Sequence, residues 1–272
     1  MRLIIIVLIS VFYGCSVGEK DKEATGRLNI KLSDTPFPLD LVSEANVTIH
    51  KVEIRSDNEN ADRRFIILSE EVKSYNLLNL TNGITAELVD LQIPVGIYDL
   101  IRLHVSHPSL VINNKSIHNE FKQRNTQTVI NIPLYEKIEI DSQASSDLLL
   151  DFDVSRSFVL RSSLDFPGEI KGFNFTPVVK ASNLSKSGSL FGEVTNKKLM
   201  FMEGALVSVY SGDTLNTTTF TAMDGSFAVL GLNPGIYLVV VEANGYQVTD
   251  EIAVEIKAAT ATTQNFKLSC HQ

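Results

Sequence analysis

The chain has 272 residues and a formal net charge of −8 at neutral pH. This acidic balance argues against a function built on contacts with nucleic-acid phosphates. Hydrophobic residues make up 44% of the chain, so a sizeable core can form, and the length suits two domains of medium size.

The start of the chain has the pattern of a secretion signal. Arg2 precedes an apolar run at positions 3–14, and Gly14 stands directly before Cys15. A positive start, a short apolar core and a small residue at the cleavage point are typical of a signal peptide. The core is too short to cross a bilayer as a helix, which needs about 20 apolar residues.

The placement of Cys15 after Gly14 resembles a bacterial lipoprotein signal. The resemblance implies that Cys15 takes a diacylglyceryl thioether, becomes the first residue of the mature chain and is then acylated. Phe12 and Tyr13 are bulkier than the residues usual at these positions. The alternative is an ordinary cleaved signal peptide, for which a Cys15–Cys270 disulfide is open.

The same resemblance bears on localisation. Ser16, rather than aspartate, follows the cysteine, which points to the outer membrane. The charged run at 19–23 is similar to a surface-export signal of some Gram-negative bacteria, and a solvated tether is its alternative reading. We therefore expect a signal peptide at 1–14, a tether at 15–25 and a lipid-anchored protein of the outer membrane that faces either the periplasm or the cell surface.

Beyond the tether, short runs rich in Val, Ile, Leu, Phe and Thr are broken by Gly, Pro, Asn and Asp. This pattern predicts an all-β protein of two tandem β-sandwich domains. The small polar segment at 183–187 is the predicted linker between a domain at 26–182 and another at 188–269. In the first domain we expect strands at 27–32, 47–54, 65–68, 96–105, 128–132, 148–154 and 173–179, a helical turn within 74–89 and a hairpin tip at 57–64.

In two of these strands, the positions of the apolar residues predict which side chains face the core. Around His50, apolar residues change from odd positions (Val47, Ile49) to even ones (Val52, Ile54), which predicts a β-bulge near His50 and a long bent strand. In the strand at 96–105, the odd positions from Ile97 onwards are apolar apart from Asp99 and predict the core face. The opposite face is then that of Tyr98, Arg102 and His104.

Two motifs identify the first domain by resemblance. They are Leu91-Gln92-Ile93-Pro94-Val95-Gly96-Ile97-Tyr98-Asp99-Leu100-Ile101-Arg102-Leu103 and Leu148-Leu149-Leu150-Asp151-Phe152-Asp153-Val154-Ser155-Arg156-Ser157. With the opening strand and the closing Pro177-Val178, they resemble a bacterial domain of unknown function, DUF4382-like, found in lipoproteins. The resemblance implies a family and supplies no mechanism.

Asp151 and Asp153 are the candidate charged site. Two apart on a strand, they point the same way and need hydrogen-bond donors or a cation. Arg156 or Arg102 could supply the donors, and Ca²⁺, which prefers oxygen ligands, is the metal alternative. We favour an Asp–Arg pairing and turn-capping network, so Asp151 and Asp153 stay weak candidates for metal binding and no cofactor is expected.

Ordered motifs identify the second domain. They are Gly192-Glu193-Val194, Gly204-Ala205-Leu206-Val207, Thr221-Ala222-Met223-Asp224-Gly225-Ser226-Phe227, Pro234-Gly235-Ile236-Tyr237 and Gly245-Tyr246. They resemble the carboxypeptidase regulatory-like domain, which implies a prealbumin (transthyretin)-like sandwich of seven strands. The Asp-Gly pair predicts a tight hairpin, and Tyr237 and Tyr246 are expected to pack at strand ends. The segment Pro234–Tyr237 also echoes Pro94–Tyr98, which suggests a shared sandwich plan.

No catalytic set is evident. His104 and His107 lack a carboxylate ligand at a recognisable offset and are expected at the surface or at the rim of the domain. Cys270 is given no catalytic role. We therefore expect a non-enzymatic, lipid-anchored envelope protein that presents β-sandwich modules as a spacer or for a glycan or protein partner. The alternative is a surface or periplasmic hydrolase that uses the aspartates near Asp151 and Asp153.

Overall fold

The computed structural model describes residues 24–35, 42–57, 64–112, 115–118, 127–162 and 170–270. The predictions for Cys15, for the charged run at 19–23 and for the hairpin tip beyond residue 57 lie outside these residues. The described chain is almost entirely β-structure, with a 3₁₀ turn at Leu77–Leu80 and a four-residue helix α1 at Val154–Ser157. The fold is therefore all-β, as the alternating apolar pattern predicts, and the turn falls within 74–89.

The first domain contains two sheets and a hairpin. Its strands are β1 (Thr25–Thr35), β2 (Val42–Ser56), β3 (Phe65–Ser69), β4 (Lys73–Asn76), β5 (Ala86–Pro94), β6 (Gly96–Ile112), β7 (Lys115–His118), β8 (Thr128–Ile140), β9 (Ser145–Asp153), β10 (Phe158–Ser162), β11 (Ile170–Phe175) and β12 (Val179–Asn183). One sheet has the order β12-β9-β1-β5, and the other has the order β3-β2-β6-β7 with β4 on β2 and β8 on β6. Strands β10 and β11 pair with each other.

One hydrophobic cluster fills the first domain. The cluster contains Leu28, Ile30 and Leu32 of β1 together with buried apolar residues of β2, β6, β8 and β9. Strands β1 and β9 run parallel, which brings Asp151 opposite Ser33 and Asp153 opposite Thr35 at their carboxyl ends. The sheet pairing thus places the candidate aspartates beside the last residues of β1.

The predicted bulge in β2 is confirmed. Ile49 pairs with Val105 and Lys51 pairs with His104, so His50 is the extra residue between them. The apolar residues on both sides of His50 all face the core: Val47, Ile49, Val52 and Ile54. A bulge that adds one residue shifts the side-chain phase by one, which explains the change from odd to even positions.

A second bulge makes the predicted faces of β6 wrong at its start. In the register with β2, Arg55 pairs with Leu100 and Ser56 pairs with Tyr98, so Asp99 is the extra residue. Tyr98 is consequently 2% exposed within the core, whereas Ile97 is 48% exposed. Ile101, Leu103 and Val105 face the core, as predicted.

The predicted strand at 173–179 is also wrong as a single element. Strand β11 ends at Phe175, and β12 begins at Val179 in a different sheet. Pro177 stands in the break, where its lack of a backbone N–H removes a ladder hydrogen bond.

The second domain is a sandwich of two sheets. Its strands are β13 (Gly188–Asn196), β14 (Leu206–Ser211), β15 (Thr214–Phe220), β16 (Ser226–Leu232), β17 (Gly235–Glu242), β18 (Ile252–Ile256), β19 (Ala261–Thr263) and β20 (Phe266–Leu268). One sheet has β13 between β16 and the short strands β19 and β20, and the other has the order β15-β14-β17-β18. A separate hydrophobic cluster lies between them.

Strands β19 and β20 form one interrupted strand, which gives the seven expected. Both pair in parallel with β13. Between them, Gln264 donates its N–H to the carbonyl of Phe191, and Asn265 Oδ1 accepts from the N–H of Glu193. These bonds keep the two pieces aligned along β13.

The hairpin predicted at Asp224-Gly225 is wrong. The local turn forms, with the Gly225 N–H bonded to the carbonyl of Ala222. However, β15 before it pairs with β14, and β16 after it pairs with β13 in the opposite sheet. The turn residues reverse the direction of the chain, but the packing of the two sheets determines which strands β15 and β16 pair with.

Candidate functional site

The predicted aspartates lie at the carboxyl end of β9, close to the second domain. Ser33 Oγ donates to one carboxylate oxygen of Asp151 at 3.2 Å, and Thr35 Oγ1 donates to the other at 2.8 Å. Burial raises the pKa of Asp151, and the hydrogen bonds from Thr35 and Ser33 oppose this rise. Both oxygens of Asp151 are therefore engaged by the neighbouring strand.

Asp153 caps helix α1. Its Oδ1 atom accepts from the Arg156 N–H at 2.9 Å and from the Ser155 hydroxyl at 2.7 Å, and its Oδ2 atom accepts from Arg156 Nε at 2.6 Å. An aspartate is a favoured N-cap because its oxygen satisfies a free N–H of the first turn. The arrangement is a pairing and capping network with Arg156 as the cation.

Arg102, the other arginine considered for this role, lies elsewhere. Its guanidinium stands 3.5 Å from the centre of the Phe65 ring, and its Nε donates to Asn131 at 3.0 Å. Strand β6 carries it on the outer face of the six-stranded sheet, away from the end of β9. The sequence offered no means of choosing between the two arginines.

Sequence reasoning missed Asp34, which joins the two aspartates at this end of the domain. Asp34 is 5% exposed, and its Oδ1 accepts from the Val154 N–H at 3.2 Å. Burial and the charge of Asp151 raise its pKa well above the usual range. The sequence feature that could have indicated Asp34 is the small polar run Ser33-Asp34-Thr35 at the end of an apolar strand.

A small cavity of about 30 Å³ lies between the two domains beside these residues. The first domain contributes Ser33, Asp34, Thr35, Leu80, Asn82, Gly83 and Asp151 to its wall, and the second contributes Thr217, Thr218, Thr219, Ala228, Val229 and Leu230. Ligand pockets are typically at least about 300 Å³. The cavity fits one or two water molecules and is too small for a sugar ring or a peptide.

Direct hydrogen bonds join the domains next to the cavity. Asn82 Oδ1 accepts from the Ala228 N–H at 2.6 Å, and Asn82 Nδ2 donates to the Ser226 carbonyl at 3.3 Å. Farther along the boundary, Lys180 Nζ donates to the Asn216 carbonyl at 3.1 Å. These contacts brace the second domain against the first.

A polar row runs along the outer face of β2 and β6. His50 and His107 both hydrogen-bond the hydroxyl of Ser106, His107 at 2.6 Å. His104 bonds Glu53 at 2.8 Å and is largely covered. Of the two histidines expected at the surface or the rim, His107 is exposed and His104 is half-buried. The bulge at His50 turns its ring towards Ser106.

The segments Pro94-Val95-Gly96-Ile97-Tyr98 and Pro234-Gly235-Ile236-Tyr237 have similar local structure in their two domains. The Tyr98 hydroxyl donates to the Pro94 carbonyl at 2.7 Å, and the Tyr237 hydroxyl donates to the Asn233 carbonyl at 3.0 Å, in each case four residues back. Each tyrosine ring is buried at the start of a central strand. Gly96 and Gly235 lie in these turns with φ of 153° and 159°. Each tyrosine therefore anchors the turn before it to the hydrophobic core of its own domain.

The remaining motif residues also shape turns. Asp224 Oδ1 accepts from the N–H and the hydroxyl of Ser226, and Gly225 has φ of 74°. Gly245 has φ of 82°, and the Tyr246 hydroxyl accepts from Asn196 Nδ2 at 3.3 Å. Cys270, an exposed free thiol, forms a backbone bridge with Tyr246.

Neither a metal-ligand cluster nor a membrane-spanning helix is found among the described residues. No three His, Cys, Asp or Glu side chains in that part of the chain are grouped so that they could hold a metal ion. None of its helices has the length and hydrophobicity that crossing a membrane requires.

Comparison with protein families gives two matches in chain order. Residues 25–177 match the domain of unknown function DUF4382, and residues 189–269 match the carboxypeptidase regulatory-like domain. Both families and their order are those that the motifs indicated. A comparison with curated proteins gave no match.

Solved structures show distant similarity. The Bacillus anthracis TIE protein is 14% identical with a TM-score of 0.29, and the alignment covers 94% of this chain and 42% of that protein. The shaft pilin SpaA of Lactobacillus rhamnosus GG is 9% identical with a TM-score of 0.29, covering 91% of this chain and 98% of the pilin. The minor pilin GBS52 of Streptococcus agalactiae is 11% identical with a TM-score of 0.29, covering 90% and 96%.

Proposed function

We propose that this chain, which belongs to the DUF4382 family of domains of unknown function, is a non-enzymatic, lipid-anchored protein of the cell envelope. After the DUF4382 domain, the chain continues into a carboxypeptidase regulatory-like domain. Its two braced β-domains act as a spacer or as a platform for a glycan or a protein partner. The proposed location is the outer membrane.

The observation that carries the non-enzymatic assignment is the state of the candidate catalytic aspartates. All four carboxylate oxygens of Asp151 and Asp153 accept hydrogen bonds from residues of the same domain. The neighbouring cavity of about 30 Å³ is too small for an organic substrate. A glycosidase needs two carboxyl groups that flank the scissile bond with room for the sugar.

The contacts between the domains support a spacer or presenting role. Asn82 and Lys180 both bond backbone atoms of the second domain. A flexible pair of domains would need no such bonds, whereas a spacer that holds a binding surface at a set distance gains from them.

Lipid attachment at Cys15 is supported by the Gly14–Cys15 pair after the apolar run. Two or more acyl chains would hold the protein firmly, because a single chain gives only marginal membrane binding. The test is metabolic labelling with a clickable fatty acid, with Cys15→Ala as the variant and Cys270→Ala as the matched control. Labelling of Cys270→Ala but not of Cys15→Ala is expected, and labelling of both would refute the assignment.

Mass spectrometry of the mature amino terminus and protease shaving of intact cells test cleavage and exposure. A tri- or diacylated Cys15 and loss of the protein on shaving would place it on the cell surface. An unmodified amino terminus would favour the secreted form.

Binding and catalysis are separated by parallel assays. Glycan arrays and pull-downs with purified protein test whether the domains bind a glycan or a protein partner. If both assays are negative, the spacer role is the one that stands. Turnover of polysaccharide or ester substrates that is lost in Asp153→Ala would overturn the non-enzymatic assignment in favour of the hydrolase.

A further inference from the structure

The second domain carries an exposed apolar tip at the end of β13 that lies farthest from the linker. The tip consists of Leu199, Met200 and Phe201 in the loop after β13, and Met223 in the turn before β16. Their exposed fractions are 69%, 55%, 55% and 80%. Exposed apolar groups clustered in this way mark interaction sites more often than single ones do.

The loop holds these side chains outwards through a buried asparagine. Asn196 is 4% exposed, and its Oδ1 accepts from the N–H groups of Lys198 at 2.9 Å and Met200 at 3.1 Å. Leu199 has φ of 61°, a left-handed conformation that is unfavourable for a residue with a side chain. The loop is therefore built to display its apolar residues.

The two segments of the tip form one surface. A Cβ atom on Gly225 would lie 3.1 Å from Cδ1 of Phe201, so the turn that carries Met223 packs directly against the Phe201 ring. Phe201 also bridges to Thr195 by backbone pairing. The tip is thus a fixed feature of the sandwich end.

Two lysines directly precede the apolar residues of the tip, and two acidic residues lie near them. Lys197 and Lys198 are exposed immediately before the apolar residues, although the whole chain carries a net charge of −8. The hydrogen bonds from Ser226 lower the pKa of Asp224, which is therefore ionised, and Glu203 is exposed at the base of the loop, so the basic part of the tip is the segment directly before Leu199. At a membrane interface, a lysine can keep its ammonium group among the lipid phosphates while neighbouring apolar side chains enter the acyl boundary.

We propose that this tip docks on the anionic headgroup surface of a lipid bilayer, with Leu199, Met200, Phe201 and Met223 entering the headgroup–acyl boundary. A stable protein interface uses about 20–30 residues on each side. Four apolar side chains, three on the loop and one on the adjacent turn, make a small contact of that kind, but they suit insertion into a bilayer. This contact is separate from the proposed acyl anchor and would orient the second domain.

The absence of tryptophan from the chain allows a local test. Phe201→Trp and Met200→Trp each place a single fluorophore at the tip, and Tyr135→Trp places one on β8, where Tyr135 is 93% exposed. All three are made in the full chain with Cys15→Ala, so that acylation cannot bring the protein to the membrane. Vesicles contain phosphatidylglycerol and phosphatidylcholine, with and without brominated acyl chains.

We expect a blue shift of emission and at least a twofold loss of intensity with brominated anionic vesicles for both tip variants, and neither change for Tyr135→Trp. Adding Lys197→Glu and Lys198→Glu should abolish the effect, and raising the salt concentration should weaken it. Unchanged tip emission in a variant with a native circular-dichroism spectrum would overturn the proposal and leave the tip to a protein partner. So would quenching of Tyr135→Trp equal to that of the tip variants.

Discussion

The side-chain amide oxygen of Asn82 accepts a hydrogen bond from the backbone N–H of Ala228, so one residue of the first domain satisfies a backbone donor on an edge strand of the second. Strand β16 lies at the edge of its sheet, where unpaired backbone groups can recruit other strands. Asn82 has φ of 55°, a left-handed conformation that asparagine tolerates better than most residues. Its place in the turn after the 3₁₀ segment thus serves the contact between the domains.

Replacing Asn82 should loosen the two domains without unfolding either. Asn82→Gly keeps the left-handed backbone accessible and removes both interdomain bonds, each worth about 0.5–1.5 kcal/mol. We expect faster proteolysis in the linker at 183–187 and a larger radius of gyration by X-ray scattering. Asn131→Ala, which removes a bond to Arg102 within the first domain, is the control. Equal cleavage rates in both variants would contradict the bracing role.

The raised pKa of Asp34 predicts a stability that falls as pH rises. The folded chain binds the Asp34 proton more tightly than the unfolded chain, whose aspartate pKa is about 4. The stabilising contribution is complete below that value and is lost as pH rises through the folded pKa. Asp34→Asn should therefore raise the free energy of unfolding at pH 7 and flatten its decline above pH 4, as measured by urea denaturation.

Asp90→Asn is the control of opposite sign for this test. The hydrogen bond and charge of Arg27 lower the pKa of Asp90, so its contribution is present above the unfolded pKa and is lost as pH falls. This exposed pair should have a small effect, in the direction of lower stability at pH 7. A loss of stability at pH 7 in Asp34→Asn would show that burial of its charge is not the dominant effect.

The two tyrosine hydroxyls should contribute similarly in the two domains. Tyr98→Phe and Tyr237→Phe each remove one hydrogen bond to a carbonyl four residues back, and each should lower the free energy of unfolding by about 0.5–1.5 kcal/mol. Tyr135→Phe, at an exposed position, should change nothing measurable. If neither core variant differs from Tyr135→Phe in chemical denaturation, the shared turn has no energetic role.

Gly192 should tolerate no side chain. A Cβ atom there would lie 1.9 Å from the carbonyl oxygen of Gln264, at the interruption between β19 and β20. Gly192→Ala must push the last strand away and should cost roughly 3 kcal/mol, the upper end of ordinary overpacking. Gly212→Ala, with φ of 57° and nothing within 4 Å, should cost only about 1–2 kcal/mol from backbone strain. Similar melting temperatures for the two variants would contradict this packing.

Two bulges show where sequence pattern suffices and where it fails. At His50 the bulge is readable because apolar β-branched residues on both sides mark the core face. At Asp99 the same defect was visible only as one charged residue on an apolar face, and Ile97 and Tyr98 are each compatible with core or surface. The pattern there could not say which of them the core would accept, and Tyr98 enters because its hydroxyl reaches the Pro94 carbonyl.

The all-β class, the two families and their order could be predicted from the sequence, because strand periodicity and turn residues act over a few neighbouring positions. Three features could be known only from the folded chain: Asp34 lies beside Asp151, Asn82 bonds Ala228, and β15 and β16 belong to opposite sheets. Asp34 and its partner Val154 are 120 positions apart, and Asn82 and Ala228 are 146 apart. Contacts at such separation leave no periodic trace, since each depends on how complete sheets pack rather than on the residues next to it.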